Sequence, residues 1–157
     1  MAYNKTNLFE NAVLQEWFNS VALATTMPTL GTNFYIALCS GTKPTTDAAV
    51  DLSAHELSAT APAIAAYPNY ARVPIARNNA SVFTVVADVA SNTAATVSFA
   101  ACAGNGTTIQ ATWAAICLTD VEGTNDAVFY GDLTTPLSIS TGVTTQFSTS
   151  TITFTEQ

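Results

Sequence analysis

From Trp113 to Thr155 the chain contains no lysine, arginine or histidine. The stretch reads as strand, turn, strand, through Trp113–Leu118, Ala127–Leu133 and Gln146–Thr155. This constrains the fold more than any other feature does. Thr, Val, Ile and Phe suit a pleated, half-buried surface, because their branched or flat side chains lose little freedom there. A segment of this kind builds a β framework and offers little catalytic chemistry.

The rest of the composition agrees. Charged residues make up 10% of the 157 and hydrophobic ones 48%, against about 25% charged in an ordinary soluble domain. Thr, Ser and Asn must therefore meet the solvent, which again favours strands. The length fits a single domain over residues 1–157 that can bury a core without staples. The net charge of −7 arises from eleven acids against Lys5, Lys43, Arg72 and Arg77. No basic stripe is available to neutralise phosphates, so nucleic acid is not an expected partner. Cys39, Cys102 and Cys117 are isolated and odd in number, which predicts buried free thiols rather than a disulfide framework or a zinc set.

Glu10, Asn11, Gln15 and Glu16 interrupt the N-terminal region, so no signal peptide is expected. No run approaches the roughly 18 apolar residues of a membrane span, and no membrane partner is expected.

Along the chain, residues 1–6 read as an N-terminal arm. Asn7 with Glu10 resembles a capping box, and Leu14, Trp17, Phe18 and Val21 follow at helical spacing, which predicts an α-helix over 7–25. Asn33–Cys39 is a continuous apolar run closed by turn residues, the pattern of a buried strand. From 45 to 68 no period is sustained, apart from a short helical possibility over Asp47–Leu57. This segment is expected to be a long loop and a contact surface. Pro74 places the strand in Tyr70–Arg77 at an edge or a bulge. Further strands are expected at Val82–Val86, Ala95–Phe99, Ile109–Thr119, Ala127–Leu133, Leu137–Ser140 and Thr145–Phe154. The whole predicts a mainly β chain with one N-terminal α-helix, its residues 33–155 forming an antiparallel β-sandwich of jelly-roll or immunoglobulin-like type.

Chemistry is sparse. His55 beside Glu56 is the one base-and-orienter candidate, but adjacent side chains diverge on either a strand or a helix. No G-x-S-x-G turn is present and no second histidine could complete a triad. Asp120–Asp126 could suggest a calcium loop, yet it is short and lacks a closing Glu. A hairpin turn explains it as well, because Gly123 and Asn125 tolerate positive φ. Neither catalytic nor metal-binding nor cofactor-binding residues are expected. For a sugar site the available exposed aromatics would be Tyr3, Tyr67 and Tyr70, while Trp113 heads an apolar strand and belongs in the core.

The order of short phrases resembles a widespread group of small tailed-bacteriophage virion structural proteins. The phrases are Phe34–Leu38, Glu56-Leu-Ser58, Tyr70-Ala-Arg72, Trp113 with Ile116–Asp120, Phe129–Leu133 with Pro136, and a closing Phe147–Phe154 segment. Members are labelled tail-fibre-like or minor virion proteins and are similar to β-sandwich capsid cement proteins. The resemblance implies a non-enzymatic virion protein, made in the host cytoplasm and placed on the particle exterior. A capsid cement or decoration role is the first expectation. A tail, collar or fibre component is the alternative, and a carbohydrate- or receptor-binding module the second alternative. The implied partners are the major capsid protein or other virion proteins, with the chain as a homo-dimer or homo-trimer. Tyr3, Lys5, His55, Tyr67 and Tyr70 are the candidate contact residues.

Overall fold

A computed structural model describes residues 3–5, 33–44, 50–59, 67–76, 84–86, 89–93, 95–104 and 107–155. The helix expected over 7–25 lies outside these residues, as do 45–49 and 60–66 of the long loop. The described chain is mainly β. Its strands are β1 Tyr3–Lys5, β2 Asn33–Cys39, β3 Val73–Ala76, β4 Thr84–Val86, β5 Val89–Ser91, β6 Val97–Ala101, β7 Ile109–Cys117, β8 Ala127–Ile139, β9 Thr144–Phe147 and β10 Thr153–Thr155. They form a five-stranded sheet in the order β1-β8-β7-β2-β3, a three-stranded sheet β10-β5-β4 and a two-stranded sheet β6-β9. Every ladder among them is antiparallel.

The continuous apolar runs of β2 and β7 follow from burial on both faces of the large sheet. Ile36, Leu38, Ala114 and Ile116 enter one apolar cluster, which also takes Val97, Phe99 and Phe147 from β6 and β9. Ala37, Cys39, Trp113, Ala115 and Cys117 enter a second cluster on the opposite face, with Val50 and Leu52. Small side chains there leave room for two large ones, and Trp113 and Tyr130 are both fully buried. The three cysteines are free and buried, as expected.

Two strand expectations change in instructive ways. The runs at Ala127–Leu133 and Leu137–Ser140 are one strand, β8, that bows outward from β7. Between the pairs Trp113↔Asp132 and Ala111↔Leu137, the four residues Leu133–Pro136 stand against Thr112 alone. Pro136 is tolerated because it sits in this bow, away from the paired ladder. Conversely, the expected strand Thr145–Phe154 is two strands, β9 and β10, separated by a turn in which Ser150 has φ 61°. Alternating Thr and Ser suit strand and turn alike, so the break leaves no mark in the pattern.

Asn92, 0% exposed, fixes that turn. Its Nδ2 donates to the carbonyls of Ala95 (3.2 Å) and Ser148 (2.9 Å), and its Oδ1 accepts from Ile152 N–H at 2.8 Å. The Asn92 carbonyl also accepts from Ser150 N–H. Replacing Asn92 by Ala would strand these buried groups and is expected to lower the unfolding free energy by about 2 kcal/mol. Urea denaturation would show this, and Asn92→Asp should do no better, because both donated bonds are lost.

Candidate functional site

The phrases Glu56-Leu-Ser58 and Tyr70-Ala-Arg72 meet inside the protein. Strand β3 pairs with β2 only as far as Ile36↔Val73. Beyond that point the 55–57 segment takes over the edge of β2, with Leu57 N–H donating to Leu38 O and Ser40 N–H to His55 O, both at 2.9 Å. The Leu38 N–H falls in the gap between them. It donates to the Tyr70 hydroxyl at 2.9 Å, which in turn donates to Glu56 Oε1 at 3.0 Å.

Arg72, 4% exposed, lies between Glu56 and Asp126. Its Nε and Nη2 each donate to one oxygen of Glu56 at 2.8 Å, a bidentate fork, and its Nη1 donates to Asp126 Oδ1 at 2.8 Å. The two remaining donors reach Thr119 O (2.9 Å) and Thr124 O (3.1 Å). All five guanidinium N–H groups are therefore used, a set that lysine cannot supply. Gly123 N–H and Thr119 N–H donate to the free lone pairs of Glu56 and Asp126. Burial alone would lower the Arg72 pKa, but the hydrogen bonds and charge of Glu56, joined by Asp126, outweigh it and hold the guanidinium above its ordinary value.

The segment Asp120–Asp126 is thus a turn tied down from within. Gly123 takes φ 72°. Asn125 serves differently from the expectation: it does not adopt positive φ, and its Oδ1 accepts from Leu52 N–H at 2.7 Å. Asp126 points inward to Arg72. This arrangement shapes and stiffens the fold.

The candidate contact residues fall in unlike places. Tyr67 and Tyr70, expected to be exposed, are 0% and 4% exposed. Their hydroxyls are consumed by Ala100 O and by Glu56, so neither ring offers a stacking surface in the folded chain. His55 is half-buried, edge-on to Trp113 at 5.7 Å, with Nδ1 3.3 Å from Ser40 O. Tyr3 and Lys5 form β1, opposite Gly131 and Phe129 of β8. The described parts of the 45–68 loop send Val50, Leu52, Glu56, Leu57 and Tyr67 into the core, while Asp51, Ser53 and Ala54 stay exposed. That segment was hard to read because it buries its side chains from a 3₁₀ turn over Leu52–Ala54 and an isolated bridge, which impose no period.

The surface holds a different feature. Where β8 bows, a groove of about 400 Å³ opens between it and the β9–β10 turn, lined by Leu133, Thr134, Thr135, Leu137, Gln146, Phe147, Ser148 and Thr151. Leu133 and Phe147 are 7% and 6% exposed and form its floor, whereas Thr134, Thr135, Gln146, Ser148 and Thr151 are exposed around it. No lining residue is charged. Sequence reading passed over these residues, whose one signal is a run of hydroxyl and amide side chains on either side of a strand proline.

Residues 4–155 match the family described as podophage GP4 fiber I protein gp80. The chain belongs to this family. The match spans β1 to β10 and includes both the buried ion triad and the groove, so neither is an appendage to the family's domain. The protein is accordingly a phage tail-fibre-like virion protein, in keeping with the resemblance carried by its short phrases. No curated protein matches it.

Removing the triad's centre should cost most. Arg72→Met leaves two buried carboxylates and is expected to lose about 3–5 kcal/mol in chemical denaturation, while the triple Glu56→Gln, Arg72→Met, Asp126→Asn should lose less than the sum of its single changes. A second expectation concerns pH. Burial, then the Glu56 charge, pushes the Tyr70 pKa well above its usual range, and burial does the same for Cys39 and Cys117. In the unfolded chain these groups ionise from about pH 8.5 for Cys and about pH 10 for Tyr. The folded state then holds more protons than the unfolded one, so stability falls as pH rises through this window. Tyr70→Phe should destabilise at pH 7 yet flatten the fall between pH 9 and 10.5 in urea titrations.

Proposed function

We propose that this chain is a non-enzymatic structural component of a phage fibre, carried on the outside of the virion and assembled as a homo-dimer or homo-trimer with other virion proteins. The observation that carries the reading is the family match over 4–155, whose description names a fibre protein. It favours the fibre over the capsid cement role first expected from the resemblance. A single apolar cluster joining the large sheet to β6 and β9 supports the finer reading of the fold as an antiparallel sandwich. The interior chemistry supports the same role: among the described residues the buried charge cluster of Glu56, Arg72 and Asp126 is spent on holding the fold, and the described strands present mostly Thr, Ser and Gln to solvent. A body of this kind carries load and position rather than turnover.

Location can be tested on purified particles of a phage that encodes the chain. Quantitative mass spectrometry should find a low copy number, a few to some tens per particle, and labelled antibody should decorate the tail region in electron micrographs. Hundreds of copies spread over the shell would sink the fibre reading and restore capsid decoration. A chain lacking residues 1–6 should fold with a modest loss of stability, since β1 contributes a three-residue ladder. If the arm also serves assembly, the truncated protein should lose its oligomeric state in sedimentation experiments.

A further inference from the structure

We infer that the groove between the β8 bow and the β9–β10 turn is a binding site for a neutral saccharide. This goes beyond a structural role in a fibre and does not depend on where in the virion the chain sits.

The argument rests on what the groove presents. Its floor of Leu133, Leu137 and Phe147 is apolar and suits the C–H face of a pyranose ring. Its walls carry four hydroxyls and one amide: Thr134, Thr135, Ser148, Thr151 and Gln146. Thr151 Oγ1 already donates to Ser148 O at 2.6 Å and keeps its lone pairs free to accept. Thr134, Thr135, Gln146 and Ser148 make no side-chain hydrogen bond to another described residue, so they have donors and acceptors to offer. Hydroxyls and amides both donate and accept, as sugar hydroxyls do, and pockets of this kind gain orientation from a few polar groups over an apolar bed. With no charge among eight lining residues in a chain of net charge −7, the groove has nothing to neutralise a phosphate, sulfate or carboxylate, and nothing to bind a cation.

The site is also held in place. Asn92, fully buried, grips the carbonyl of Ser148 and the N–H of Ile152 on either side of the rim. On the other wall, four residues of β8 set against Thr112 alone push the Thr134 and Thr135 positions outward from the β7 ladder. A rim fixed this way loses little conformational freedom when a ligand arrives, so less of the binding energy is spent on ordering it.

Saturation-transfer NMR on the full chain would test the inference. The panel is neutral gluco-, galacto- and manno-configured di- and trisaccharides, with sialyllactose and a heparin tetrasaccharide as acidic probes. At least one neutral sugar should bind, and Thr135→Ala and Gln146→Ala, both at exposed positions, should each weaken it by about tenfold. Val121→Thr, on an exposed loop outside the groove, should leave binding unchanged. Absence of any neutral binder overturns the inference, as does binding that survives both groove substitutions or acidic glycans binding equally well. None of these results bears on the fibre reading, which the particle experiments decide separately.

Discussion

The Arg72 guanidinium is the point at which the irregular parts of this protein become possible. Three segments with little regular structure, 50–58, 67–72 and 118–126, pass close to the core, and each carries backbone groups that water cannot reach. In the last of these, Thr119 and Thr124 offer carbonyls to Arg72 while Thr119 and Gly123 offer N–H groups to the carboxylates, and Tyr70 of the second accepts the N–H of Leu38 in β2. Burying an ion pair is costly, and only a fully hydrogen-bonded geometry offsets the loss of hydration. Here every guanidinium donor has an acceptor. The resulting network lets loops behave as core, because the buried charges and the backbone groups around them have partners.

What could be read from the sequence follows from which forces leave periodic traces. Strands β2 and β7 were legible because burial on both faces makes a continuous apolar run. The edge position of β3 was legible from Pro74, which is exposed and opposes Tyr35 at the last strand of the large sheet. The β8 strand was read as two because its bow interrupts the alternation at Thr134–Pro136, and β9 and β10 were read as one because hydroxyl residues do not distinguish ladder from turn. Three-residue strands such as β1 and β5 carry too few positions for any period.

The triad illustrates a different limit. Glu56, Arg72 and Asp126 are separated by 16 and 54 residues, and nothing local links them. Their short flanking phrases were conspicuous, but as marks of kinship and not as partners. A stronger hint was scarcity: a chain with four cations seldom places one between apolar neighbours without a buried acid to meet it. The tyrosines misled for a related reason. Tyr67 ends a stretch without pattern and Tyr70 stands just beyond it, which suggested exposure, whereas their hydroxyls let them close gaps in the interior that Phe could fill only by leaving a backbone group unpaired.

The bow of β8 has a consequence for association. Among the described residues, β1 pairs with the outer edge of β8 only opposite Phe129–Gly131, and the remainder of this 13-residue strand has no ladder partner on that side. An edge of that length would ordinarily template pairing between molecules. This one is interrupted: Asp132 places a charge at its start, and Pro136 contributes no N–H in the middle of a segment already bent off the regular pleat. Such an edge is a poor template for cross-β pairing between molecules.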